Sequence, residues 1–133
     1  MEGSAEVLLV GGTLVLLFGF ILGLPMAQAR MKSPTAPRHL VTTHLEALMS
    51  GAALLGLSLA ASFSDLNTGV ELLAAWLLVG GVAATLSGGT LNWLQKVGDP
   101  FAEKPAGFML QSVGGPVMLV GGVLLAIGVL MAV

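Results

Sequence analysis

His44 is the side chain best suited to chemistry in this sequence, because it stands in Thr43-His44-Leu45-Glu46, a polar start to an otherwise apolar run. At 100° per residue its helical face continues through Ala47, Leu48, Gly51 and Leu55, small beside the imidazole and apolar beyond it. A flat cofactor fits such a surface, with a ring nitrogen as its metal ligand. The competing reading is an interfacial histidine bonded to a headgroup or a carbonyl. His39, the other histidine, follows Pro37-Arg38 and falls one position off that face, so a bis-histidine haem within one subunit is not expected. Thr43 and Glu46 have the spacing of a capping box, which starts the helix at Thr43 and puts His44 in its first turn. With no cysteine there is no disulfide framework, thiolate ligand or covalent haem attachment, so a metal must rest on His or oxygen donors.

A second polar constellation, Thr85, Gly88, Gly89, Asn92 and Gln95, forms one stripe on a later helix. Chain direction puts Asn92 at the membrane level of His44, across a cleft. There it can meet His44 across the cleft, or it can serve as interhelical glue. Trp93 reads as an aromatic-belt anchor of the helix at the interface. Further on, Gly114-Gly115-Pro116 predicts a kink, since proline cannot donate to the Ser112 carbonyl. Gln111 lies within a turn of it, to satisfy freed backbone groups or to touch substrate.

The elements that position these residues follow from composition. The 133 residues are 56% hydrophobic and 9% charged, where a soluble domain has about 25% charged residues. Four apolar runs, at about 7–26, 44–63, 70–96 and 107–133, each suffice to cross a hydrocarbon core of about 30 Å. The expectation is an all-α four-helix transmembrane bundle, a single integral-membrane domain over 1–133. The acidic opening Met1-Glu2-Gly3-Ser4-Ala5-Glu6 marks the first run as a permanent helix rather than a signal peptide. All five basic residues fall in the first and third connections, which predicts both termini outside, N-out/C-out, in the plasma (inner) membrane. Five scattered cations make no nucleic-acid footprint. Prolines 34, 37, 100 and 105 keep those connections from being continuous helix. Gly12, Gly19 and Gly23, and again Gly80, Ala84 and Gly88, make small-residue stripes suited to close helix packing, within the bundle or between subunits.

Two segments resemble a known family. His44-Leu45-Glu46-Ala47-Leu48-Met49-Ser50-Gly51 is similar to the His-Leu-Glu-Gly-x-x-Asn-Gly motif of hydroxylaminobenzene mutases. Gly89-Thr90-Leu91-Asn92-Trp93-Leu94 resembles their third-helix Gly-Thr-Tyr-x-Asn-Trp segment. Styrene oxide isomerase is a more distant relative of the same layout. The resemblance is specific at the two motifs, and reaches the fourth helix only in hydropathy. It implies a membrane isomerase, a homotrimer with haem b between subunits and His44 as axial ligand, acting on small apolar aromatic substrates. Arylhydroxylamine to aminophenol is the first reaction it implies, and aryl epoxide to aldehyde the second. Ferric haem would act as a Lewis acid with no redox partner. Ala47, Leu48 and Gly51 would line the cofactor, Asn92 and Ser50 would hold the substrate, and Trp93 would pack on its ring. Ser50 stands where the family has asparagine, and the chain has no tyrosine. A non-catalytic haem-binding or structural membrane subunit is the reading from outside enzymology.

Overall fold

Within hydrocarbon every backbone amide must find its partner inside its own segment, and long helices do this without help from water. A computed structural model, which describes residues 3–133, is all-helical over most of its length. It consists of α1 (Gly3–Lys32), α2 (Arg38–Ala61), α3 (Thr68–Leu94), the short α4 (Pro100–Glu103) and α5 (Ala106–Met131). The four long helices are each sufficiently extended and apolar to cross a membrane, as the composition requires. The chain therefore reads as a multi-pass membrane protein. Its outer surface carries large apolar side chains such as Leu14, Leu17, Phe20, Met49, Trp76 and Leu119, which suits contact with lipid.

The helices run further than the apolar runs suggest. α1 continues through Pro25 to Lys32, and the first connection shrinks to residues 33–37. α2 begins at Arg38, so the expected capping box at Thr43 and Glu46 does not form. The N-cap is Pro37, at φ −55° and ψ 132°, with no side-chain cap. Thr43 instead lies buried inside the helix, pressed against Gly89 of α3. His44 is accordingly in the second turn, and His39 in the first. The added turn is stabilised by long-range partners that no local pattern reveals. Arg38 Nη2 donates to the Gly98 carbonyl at 2.6 Å, and His39 Nε2 donates to that of Val97 at 2.8 Å. These bonds also bring the first and third connections together, so all five basic residues share one end of the bundle. At the other end, Asp65 N donates to the Gly128 carbonyl, and the Asn67 side chain caps α3. α5 passes through Pro116 without interruption.

Packing is organised as two tight pairs, α1 with α2 and α3 with α5, and α3 also touches both α1 and α2. Lipid tails are as apolar as leucine, so helices gain from close approach and not from escaping water. Glycine supplies that approach. A Cβ at Gly12 would lie 3.0 Å from the Gly51 carbonyl, and one at Gly51 would lie 2.8 Å from Leu16 N. On the other pair, a Cβ at Gly121 would lie 2.8 Å from the Ala74 carbonyl. Of the two predicted stripes, the α1 stripe faces α2 throughout, whereas the α3 stripe divides: Gly88 meets α5, but Gly80 faces open space. Leu8, Leu54, Leu78, Val82, Leu86 and Leu125 fill the space between the pairs.

Two adjacent glycines test this arrangement. A Cβ at Gly114 would stand 2.7 Å from the Gly81 carbonyl and 2.8 Å from Thr85 Cγ2, whereas one at Gly115 meets nothing within 4 Å. Gly114→Ala should destabilise by about 1–3 kcal/mol through overpacking. Gly115→Ala should be neutral or stabilise by up to about 1 kcal/mol through helix propensity. Thermal unfolding of both variants in detergent measures the difference, and equal effects would refute the close seam.

Candidate functional site

α2 and α3 position the polar residues singled out in the sequence, but they turn them toward different neighbours. His44 is half-buried, and its Nδ1 lies 2.7 Å from the carbonyl oxygen of Gly19 on α1. A carbonyl can only accept, so Nδ1 carries the proton, and in the neutral form of such a ring the lone pair lies at Nε2. Among the described residues nothing hydrogen-bonds Nε2, and it is not among the buried polar atoms left without a partner. Gly23 adjoins the ring: a Cβ there would lie 3.5 Å from His44 Cε1, an ordinary contact distance. An imidazole fixed through Nδ1 to a backbone carbonyl, with Nε2 available, is the arrangement that orients histidine ligands in metal sites. His39 has the opposite arrangement, its Nε2 being engaged by Val97.

The face expected to receive a flat cofactor is already occupied. Ala47 is fully buried against Gly19, Leu48 packs on the same glycine, and Gly51 meets the Leu16 backbone. Because α1 presents glycine at these levels, it lies directly on the small residues of α2. Ala47, Leu48 and Gly51 thus form a helix seam that sets the position of the imidazole. Ser50 is half-buried and stands about 120° around α2 from His44.

Asn92 is at the expected level, since Thr43 of α2 packs on Gly89 one turn away. It does not open onto His44. It is 1% exposed, and its Nδ2 donates to Gln111 Oε1 of α5 at 3.3 Å. Its Oδ1 rests against Gly107 and is buried without a hydrogen-bond partner. His44 faces Gly19 of α1, whereas Asn92 faces Gly107 and Gln111 of α5. Of the rest of the stripe, Thr85 is buried, with its hydroxyl donating to the Val82 carbonyl, and Gly88 adjoins Gly107 and Gln111. Gln95 is exposed, and Trp93 half-buried. The sequence named Gln111 but gave no sign that it pairs with Asn92. It gave none at all of the Gly19 carbonyl, a backbone group with no side-chain pattern.

Open space lies elsewhere. A groove of about 540 Å³ between α1 and α3 is lined by Leu14, Phe18, Leu86, Ser87 and Thr90 among others, and includes neither His44 nor Asn92. Among the described residues no three His, Asp or Glu side chains converge as a metal cluster. Compared with protein families, curated proteins and solved structures, the chain matches none.

The Asn92–Gln111 pair should couple α3 to α5. In a double-mutant cycle, Asn92→Ala and Gln111→Ala are each expected to destabilise by about 1 kcal/mol. Their coupling should be about 0.6 kcal/mol, the size found for hydrogen bonds between membrane helices. Strict additivity in thermal unfolding would show that the amides act independently.

Proposed function

We propose that the chain is a membrane isomerase that binds haem b through His44 and rearranges arylhydroxylamines to aminophenols without net oxidation. The observation that carries the reading is the fixed tautomer of His44, with Nδ1–H held by Gly19 and the Nε2 lone pair free. A single exposed imidazole nitrogen per chain suits an axial haem ligand better than a zinc site, which needs three or four protein donors. The two motif resemblances point the same way. Bound ferric haem would supply a Lewis acid that draws electron density from a substrate oxygen.

The chain's own residues set the conditions for that chemistry. Gly19 holds the ring against rotation by accepting from Nδ1. Gly23 and the α1–α2 seam keep the ring at one depth. Since α1 covers Ala47, Leu48 and Gly51, a porphyrin reaches Nε2 from outside the seam. A neighbouring copy is then needed to cover its other face, which favours a homotrimer with the cofactor at subunit boundaries. Apolar aromatic substrates would arrive through the lipid. Ser50 and Trp93 are the remaining candidates to contact substrate. Aryl epoxide to aldehyde isomerisation suits the same site. A non-catalytic haem-binding subunit is favoured by one observation, the engagement of Asn92 with Gln111 rather than with His44.

His44→Ala should abolish the Soret band of the purified protein, whereas His39→Ala should retain it. With haem bound, phenylhydroxylamine should give 2-aminophenol, or styrene oxide phenylacetaldehyde, with no added reductant or oxidant. Haem uptake without either conversion would leave the non-catalytic reading standing. No haem uptake would reduce His44 to an interhelical hydrogen bond.

The shared basic end is proposed to face the cytoplasm, with both termini outside, in the plasma (inner) membrane. Cysteines replacing the exposed Gly3 and Val133 should react with an impermeant thiol reagent on intact cells, and one replacing Ser33 should not. The inverse pattern would overturn this orientation.

A further inference from the structure

The connection between α3 and α5 is more ordered than its prolines suggest. Asp99 Oδ1 accepts from Phe101 N at 3.1 Å, and Pro100 takes the first position of α4, where its missing N–H costs nothing. Glu103 Oε2 accepts from Gly98 N at 2.8 Å and from Asp99 N at 2.7 Å, closing the loop on itself. Lys104 then ends α4 in the left-handed region, at φ 48°. The result is a short rigid shelf that holds Phe101 beside the first turn of α5. There Phe101 and Phe108 meet edge to face, with ring centroids 5.3 Å apart and planes at 67°.

Phe101 is nevertheless 77% exposed. Beneath it lies a recess of about 280 Å³, lined by Pro100, Phe101, Phe108, Gln111 and Ser112. Pro100, Phe101 and Phe108 are its apolar lining, and Gln111 and Ser112 its polar one. Gln111 uses one end of its amide on the buried Asn92, which fixes the plane of the group, and the other end has no partner among the described residues. The Ser112 hydroxyl donates to the Phe108 carbonyl at 2.8 Å and keeps its lone pairs as acceptors.

We propose that this recess is a binding site for a small aromatic molecule bearing a hydroxyl group, separate from His44 and standing whether or not the chain binds haem. The ring fits against Phe101 and Phe108, where stacked or edge-on aromatic contacts add to apolar burial. A hydroxyl both donates and accepts, so it can serve the free end of the Gln111 amide and the Ser112 oxygen together. A fatty acyl chain has no group for the amide, and a headgroup has no ring for the phenylalanines. Few convergent polar groups on an aromatic wall are the usual composition of a small-molecule site.

The test is a titration of 4-fluorophenol, followed by its ¹⁹F resonance, against the full-length protein in phosphatidylcholine nanodiscs, with empty nanodiscs as the partition control. Saturable binding above that control is expected, and fluorobenzene, which lacks the hydroxyl, should bind about tenfold more weakly. Phe101→Ala, at an exposed position outside the helix seams, should weaken 4-fluorophenol binding about tenfold while the helical circular dichroism stays unchanged. Ser112→Ala should weaken it less. Binding no greater than in empty nanodiscs, equal affinity for the two probes, or an unaltered Phe101→Ala titration would each overturn the proposal. Soret absorbance in the same samples reports on His44 independently, so the failure of one assignment is distinguishable from that of the other.

Discussion

Close backbone approach between helices is the constraint on which the rest of this molecule depends. In lipid there is no water to expel from between two apolar helices, so pairing rests on van der Waals contact and the few polar bonds it permits. Glycines on α1 and α2 bring one pair together, and glycines on α3 and α5 the other. Every polar contact of interest is a consequence. His44 reaches the Gly19 carbonyl because Gly19 lets α1 lie directly on Ala47 and Leu48 of α2. Asn92 reaches Gln111 because Gly88 and Gly107 allow α3 and α5 to touch. Ser58 Oγ donates to the Ala5 carbonyl at 2.8 Å across the α1–α2 seam for the same reason.

The basic end of the bundle is held by a different kind of interaction. Arg38 and His39 each donate to a carbonyl of the α3–α4 loop, and the loop is otherwise closed by its own carboxylates. These bonds lie at the ends of the membrane-length helices, beside the connections that carry the basic residues. They tie the start of α2 to the end of α3 and so fix the depth at which His44 sits. Arg38 thereby has a structural role in addition to its charge, which contributes to the asymmetry of the basic residues along the bundle.

The polar groups serve two distinct purposes. Asn92 and Gln111 satisfy each other between helices, an arrangement that adds to cohesion. His44 is satisfied on one side only. Its Nδ1 is committed to the Gly19 carbonyl, and its Nε2 has no hydrogen-bond partner among the described residues.

The sequence by itself determined the class of architecture. Hydropathy over residues 7–26, 44–63, 70–96 and 107–133 required four membrane-length helices, and the α1 glycine stripe identified a packing face, because both properties are local and periodic. It also singled out His44 as the candidate ligand. Tertiary structure decided the rest. α2 starts at Arg38 and not at Thr43, because partners at Gly98 and Val97, about sixty residues away, stabilise the extra turn. Ala47, Leu48 and Gly51 face α1 and not open space, because a small-residue face reads identically whether a helix or a cofactor covers it. Asn92 pairs with Gln111, and His44 with a backbone oxygen of α1, because which side chains meet depends on the rotation of each helix about its own axis. That rotation is set by the glycine seams between helices, and no single segment of sequence contains both sides of a seam.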